Sequence, residues 1–215
     1  MMGMDFGDKR ESLLSELQGE NHYGIFLAAQ MGGVPQELQL IIQTAVFDEQ
    51  VQGLRPRNQY VIRALGVVEH RVSLGVFGNL FIADEHPVLL HYNAPRAVIQ
   101  FEGQPDDVNE LVLDINQAYL STFGPWRELA KDINRTQPLV DLLLSGKGVL
   151  GTMPKPGAER MTRVLAHHGM QSTLDESRDY EEADEHGRSR NMRLLGIDDS
   201  YLIALDFSVD ELGKA

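Results

Sequence analysis

The sequence predicts an α+β protein: an antiparallel β-meander, open or barrel-like, packed by short helices and followed by a small βαβββ unit. Three observations point there. Residues 22–102 are dominated by period-2 alternation and short turns, residues 106–146 by apolar positions at helical spacing, and residues 149–207 by strand patterns around a single helix. The expected division places the meander and its helices in residues 1–136 and the smaller α+β part in residues 137–215. The two parts either form separate domains or share one core.

The elements follow in order. Leu13, Leu14 and Leu17 share one face of a helix over Lys9–Gln18, which Gly19 stops. His22–Met31 is a strand ended by Gly32-Gly33, and Leu38–Glu49 carries Leu40, Ile42, Thr44 and Val46 on one face. Gly53–Asn58 breaks the pattern. From Tyr60 a long alternation sends Tyr60, Ile62, Ala64, Val68, His70, Val72, Leu74 and Val76 one way and Arg63, Glu69, Arg71 and Ser73 the other. Gly78-Asn79 suits a two-residue hairpin turn between Val76-Phe77 and Leu80-Phe81, because both residues tolerate positive φ. Val88–Tyr92 and Ala97–Phe101 read as a second hairpin around Asn93–Arg96.

Asp106 is an N-cap for a helix with Val108, Leu111, Val112, Ile115 and Tyr119 on one side. Gly124-Pro125 ends it and starts a short helix with Trp126, Leu129, Ala130 and Ile133. Pro138 starts a third, Leu139–Leu144, closed by Gly146. Strand Val149–Met153, helix Gly157–His168, strand Met170–Leu174 and a terminal hairpin of Met192–Ile197 and Tyr201–Phe207 complete the chain. Residues 175–189 are a polar, acidic connection.

The 215 residues include 32 Asp and Glu against 19 Lys and Arg, a formal charge of −13. Residues 1–136 carry 10 basic and 18 acidic side chains and residues 137–215 carry 9 and 14, so the acidity is not confined to a tail. A field of that sign repels phosphate, which excludes nucleic acid and anionic membrane surfaces as expected partners. No apolar run of about 18 residues exists to span a bilayer. The first residues lack the basic and apolar regions of a secretory signal, so a cytoplasmic location is expected. There is no cysteine, which removes disulfides, thiolate metal sites and cysteine nucleophiles.

The densest set of metal-ligand side chains is Glu69, His70, Asp84, Glu85, His86 and His91. A regular hairpin at Gly78-Asn79 would set Arg71 opposite His86 and His70 opposite Pro87, sending His70 and His86 to opposite faces. No metal site is expected. His70, on the apolar face of its strand, is either a core histidine with one hydrogen-bond partner or a ligand and proton carrier in a cleft. Arg63, on the other face, and Trp126, with Phe123 and Tyr119, are the remaining ligand-binding candidates. His168 falls in the buried arc of its helix near the C-terminal end, where the helix dipole favours it.

Gly146–Gly151 matches GxGxxG, but a helix precedes it and a strand runs through it, the reverse of a dinucleotide site. It reads as a helix cap followed by the start of a strand. Asp179, Glu181, Glu182, Asp184 and Glu185 form an acidic run beside Tyr180 and His186, without the spacing of a calcium loop, and read as a solvated loop.

Two functions are carried forward. The first is a soluble, non-catalytic binding or adaptor module that self-associates as a homodimer or takes a protein partner through an exposed sheet edge or helix face. The second is a small-molecule or flavin-like cofactor protein, enzymatic or not, with its site near His70. No particular cofactor is specified by the residues.

Overall fold

The computed structural model describes residues 6–176 and 191–214, with side chains from Lys9 onward. The acidic run at 179–185, with Tyr180 and His186, lies outside the described residues. Twelve strands are described, all in antiparallel sheets, and none of the sheets closes into a barrel. The α+β class read from the sequence is thus the architecture observed.

The chain forms two compact units, residues 1–85 with 192–215, and residues 86–191. The boundary expected between residues 136 and 137 falls inside the second unit. Long-range pairing sets the division: the strand beginning at Lys147 hydrogen-bonds to the strand beginning at Arg96, while the C-terminal strands return to the first unit.

In the first unit, helix α1 (Phe6–Leu17) turns Leu13 and Leu17 into the core. Strands β1 (His22–Met31), β2 (Leu38–Asp48) and β3 (Gly53–Leu65) form the expected antiparallel meander. β3 includes the Gly, Pro and Asn stretch read as a break. Pro56 is accommodated opposite Ala45, where β2 is bulged between Gln43 and Ala45 and one ladder donor is dispensable.

The long strand read from Tyr60 to Val76 is instead three. β3 ends at Leu65, Gly66 turns the chain at φ 66°, and β4 (Glu69–Arg71) and β5 (Gly75–Phe77) follow. The hairpin expected at Gly78-Asn79 does not form. β5 pairs with β1, and β6 (Leu80–Ala83) pairs with β10 (Arg193–Ile197). The Gly-Asn turn therefore carries the chain from one sheet to another, with the Asp198 carboxylate accepting from the Gly78 and Asn79 amides at 2.9 and 3.0 Å.

The terminal hairpin is present as β10 and β11 (Ser200–Ala204), joined at Asp198-Asp199. A last strand, β12 (Asp206–Lys214), pairs along β3. The unit has a five-stranded sheet in the order β12-β3-β2-β1-β5 and a four-stranded sheet in the order β4-β11-β10-β6. Leu40, Ile42, Tyr60, Ile62, Leu195, Leu202, Phe207 and Val209 from both sheets share one core with α1.

In the second unit the hairpin expected around Asn93–Arg96 is also absent. Residues 87–93 are a 3-10 turn (Pro87–Leu89) running into α2 (Leu90–Asn93). Pro87 sets a helical φ, and His86 Nδ1 accepts from the Val88 amide at 3.3 Å, so the local cap overrides the alternating pattern. β7 (Arg96–Glu102) is the central strand, flanked by β8 (Lys147–Pro154) and β9 (Gln171–Glu176). Ala97, Ile99 and Phe101 point from it into the core, as period 2 requires.

Helix α3 (Val108–Phe123) lays Leu111, Ile115, Ala118 and Tyr119 on that core. Its N-cap is Asp107, one residue beyond the expected Asp106, accepting from Asn109 and Glu110 amides at 2.8 and 3.2 Å. α4 (Leu139–Leu144) starts after Pro138 and ends at Gly146, φ 79°. The GxGxxG segment is thus a cap followed by β8. α5 (Lys155–His167) contributes Ala158, Met161 and Leu165. It approaches α3 so closely at Gly157 that a Cβ there would lie 2.3 Å from the Phe123 ring.

Candidate functional site

The ligand candidates read from the sequence are not assembled. His70 lies in β4 opposite Leu202 and is exposed, because a three-residue edge strand cannot bury its side chains as a long central strand would. It is therefore neither a core histidine nor the lining of a closed cleft. Trp126 is half-buried in a 3-10 turn (Gly124–Trp126) of the second unit, its ring edge-on to His86 at 5.1 Å between centroids.

Arg63 lines an open recess of about 680 Å³ in the first unit, with Arg10, Glu37, Asp206 and Phe207. The two cations of this recess are already engaged: Arg63 pairs with Asp210 at 3.2 Å, and Arg10 donates to the Phe207 carbonyl.

The residues of the dense histidine–carboxylate set are also dispersed. The Tyr201 hydroxyl donates to Glu69, Arg193 to Asp84, and His91 binds a different carboxylate. Among the described residues no three His, Asp or Glu side chains are placed to hold a metal ion. His168 does sit at the end of α5, and its ring reaches Asp114 of α3 at 2.8 Å, an anionic partner beyond the helix dipole.

The most organised polar constellation was not legible in advance. Asp132, in the loop before α4, is buried with a 3% exposed side chain. It receives His91 Nε2 from α2 at 2.7 Å, the Tyr119 hydroxyl from α3 at 2.7 Å and Arg96 Nη2 from β7 at 2.9 Å. Its own carbonyl accepts from the Thr152 amide of β8, and Ile133 bridges to Gly151. Asp132 thus ties four elements, α2, α3, β7 and β8, to its loop. Burial alone would raise its pKa, but the hydrogen bonds from His91, Tyr119 and Arg96 outweigh it and hold the carboxyl at about 2. Burial, and then the bond to Asp132, push the Tyr119 phenol well above its ordinary value.

Because a carboxylate only accepts, His91 carries its proton on Nε2. Nδ1 is buried and has no hydrogen-bond partner among the described residues. The arrangement resembles a base and its orienting acid, but no hydroxyl stands on Nδ1. The Ser121 and Thr122 hydroxyls of α3 both donate to the Ala118 carbonyl. The His91 ring also packs against Phe123, 4.7 Å between centroids, so the cluster joins polar and apolar packing at one point. No local pattern reveals it, since its side-chain partners lie 13, 36 and 41 residues from Asp132.

The first unit offers a different kind of site, the outer edge of β1. β2 pairs along the inner side of this strand from His22 to Met31 with a bulge at Leu27, whereas β5 covers only Gly24–Phe26 on the outer side. Among the described residues no strand pairs with the outer side of Leu27–Met31. Residues 21–36 contain no Asp, Glu, Lys or Arg, the longest such run in the sequence. Leu27, Met31 and Val34 are exposed, Met31 by 72%. Leu74, exposed by 64%, stands immediately before β5 at the start of the open stretch.

The opposite edge of the sheet is guarded. β12 carries Asp206, Asp210 and Glu211, and α1 contributes the Lys9–Glu211 pair and the Arg10 bond to Phe207. Charge on an edge strand is the usual defence against strand pairing, and the Leu27–Met31 edge has none.

Comparison with protein-family models, with curated proteins and with solved structures found no match. Among the described residues no helix is long and apolar enough to cross a membrane.

Proposed function

We propose that this chain is a non-catalytic binding module whose working element is the open edge of β1, which takes an added strand. The observation that carries this reading is the unpaired, uncharged backbone of Leu27–Met31 beside a fully paired β2. Strand addition draws affinity from main-chain hydrogen bonds and specificity from alternate side chains. The edge supplies both, through its free amides and carbonyls and the exposed Leu27, Met31 and Val34.

The test is a library of displayed ten-residue peptides panned on immobilised protein, with Ala29→Lys as the counter-target. Enriched peptides are expected to bind the wild type and to lose about tenfold or more on Ala29→Lys, because a charge on the edge opposes pairing. Failure of the monomeric protein to enrich any peptide, or equal binding to both proteins, overturns the reading.

The recess around Arg63 favours a second reading, a small anionic ligand held by Arg63 and Arg10. Such a ligand would have to displace Asp210 and the Phe207 carbonyl from these guanidinium groups. A thermal shift with flavin mononucleotide or an organic phosphate, lost in Arg63→Ala, would carry it. No shift is expected.

A further inference from the structure

We propose that the strand added to β1 is the β1 of a second copy of this chain, paired antiparallel about a two-fold axis at Ala29. This rests on the strand-addition reading and names its partner.

Three observations select a second copy. The first is geometry. A symmetric antiparallel pair sets one residue opposite itself, and β5 confines the free stretch to Leu27–Met31. The register that uses this whole stretch is centred on Ala29. It places Ala29 opposite Ala29 of the second copy, Ala28 opposite Gln30, and Leu27 opposite Met31. The small pair at the axis lets the backbones approach, and the apolar pairs flank it on both sides.

The second observation is charge. Two chains of formal charge −13 repel each other over most of their surfaces. Residues 21–36 form a stretch along which they can meet without opposing like charges.

The third is what lies at the ends of the pairing. By register, β5 stops at Gly75 opposite Phe26, and Leu74 follows it where the incoming strand's Met31 would arrive. Leu74 and Met31 are 64% and 72% exposed in the single chain, and pairing would cover both. β5 therefore does not block the second strand but meets it with an apolar side chain.

The test uses the full chain and its lack of cysteine. Sedimentation velocity over a dilution series should show a dimer whose affinity rises with salt, since screening weakens the mutual repulsion. Ala29→Lys and Ala29→Glu should each weaken the dimer by about tenfold or more, by setting like charges face to face. An equimolar mixture of the two should restore it, because the facing charges are then opposite.

Facing residues of an antiparallel pair lie about 4.5–5.5 Å apart at Cα, within the range of a disulfide. Ala29→Cys should therefore cross-link to itself on oxidation. Ala28→Cys and Gln30→Cys should cross-link when mixed and neither alone. The cross-linking also stands in for the charge variants should one of them fail to fold.

A wild type that stays monomeric overturns the inference, as does a dimer that survives both charge variants. A monomer that still selects peptides on the β1 edge overturns self-pairing alone. A monomer that selects none overturns the strand-addition reading as well.

Discussion

Each compact unit is fastened by one carboxylate that gathers three side-chain donors, and the two clusters differ in depth and in the charge of their donors. In the first unit Glu16 of α1 accepts from Thr44 of β2 and from Asn58 and Tyr60 of β3, the last at 2.9 Å. Its donors are neutral, and the residue is half-buried. In the second unit Asp132 is buried and takes a guanidinium among its donors.

The difference teaches where a buried anion is costly to disturb. Glu16 can be re-solvated from the surface when a partner is lost, whereas Asp132, His91 and Tyr119 are buried too deeply for that. Burial raises the Glu16 pKa, but the Thr44, Asn58 and Tyr60 bonds outweigh it, so the carboxyl sits below its ordinary value. Asp132 is driven in the same direction, to about 2.

The sharpest way to break the comparison is Asp132→Ala. It leaves the buried His91 and Tyr119 without their carboxylate partner and should destabilise the second unit by about 3–5 kcal/mol. Trp126 is the sole tryptophan and lies in that unit, so urea unfolding followed by its fluorescence reads this loss directly.

Gly151→Ala should cost about 1–3 kcal/mol by the same readout. Its Cβ would fall 2.3 Å from the Asp132 carbonyl, so the loop must move off β8.

Acid is the third lever. The folded pKa of Asp132 is depressed to about 2 from an ordinary 3.8, so its stabilisation is complete above the ordinary value. It should be lost as pH falls from about 4 to about 2, by about 2 kcal/mol. Asp132→Asn should remove this segment of the Trp126-detected pH profile. If the profile is unchanged, another group titrates there.

Glu16→Ala should cost less, about 1–2 kcal/mol, measured by circular dichroism of the whole chain. A loss as large as that of Asp132→Ala would erase the distinction drawn between the clusters. His70→Ala, on an exposed edge strand, should change stability by less than about 0.5 kcal/mol. A larger effect would give His70 a role the geometry does not assign.

Legibility in the sequence followed the distance between partners. α1, β1, β2, α3, α4 and the β10–β11 hairpin were read close to their observed bounds, because their patterns and caps are local. The Gly78-Asn79 turn was read as a hairpin because its φ preference is local. The partners that claim its two flanking strands, Gly24–Phe26 and Leu194–Ile197, are not. In the sequence His91 is one ligand type among six, and no local pattern distinguishes Asp132 from the other acidic residues. Nothing near position 132 announces a guanidinium from position 96.

The residues alone settled the α+β class, the antiparallel strands, the acidic field and the absence of thiol chemistry, since each depends on composition or short-range periodicity. Tertiary structure decided the rest. It determined which strands share a sheet, that His70 is exposed while His91 is buried, and that one edge of the five-stranded sheet is armoured and the other open. Pairing and burial are properties of segments brought together from far apart in the chain, and their free energy appears only once those segments meet.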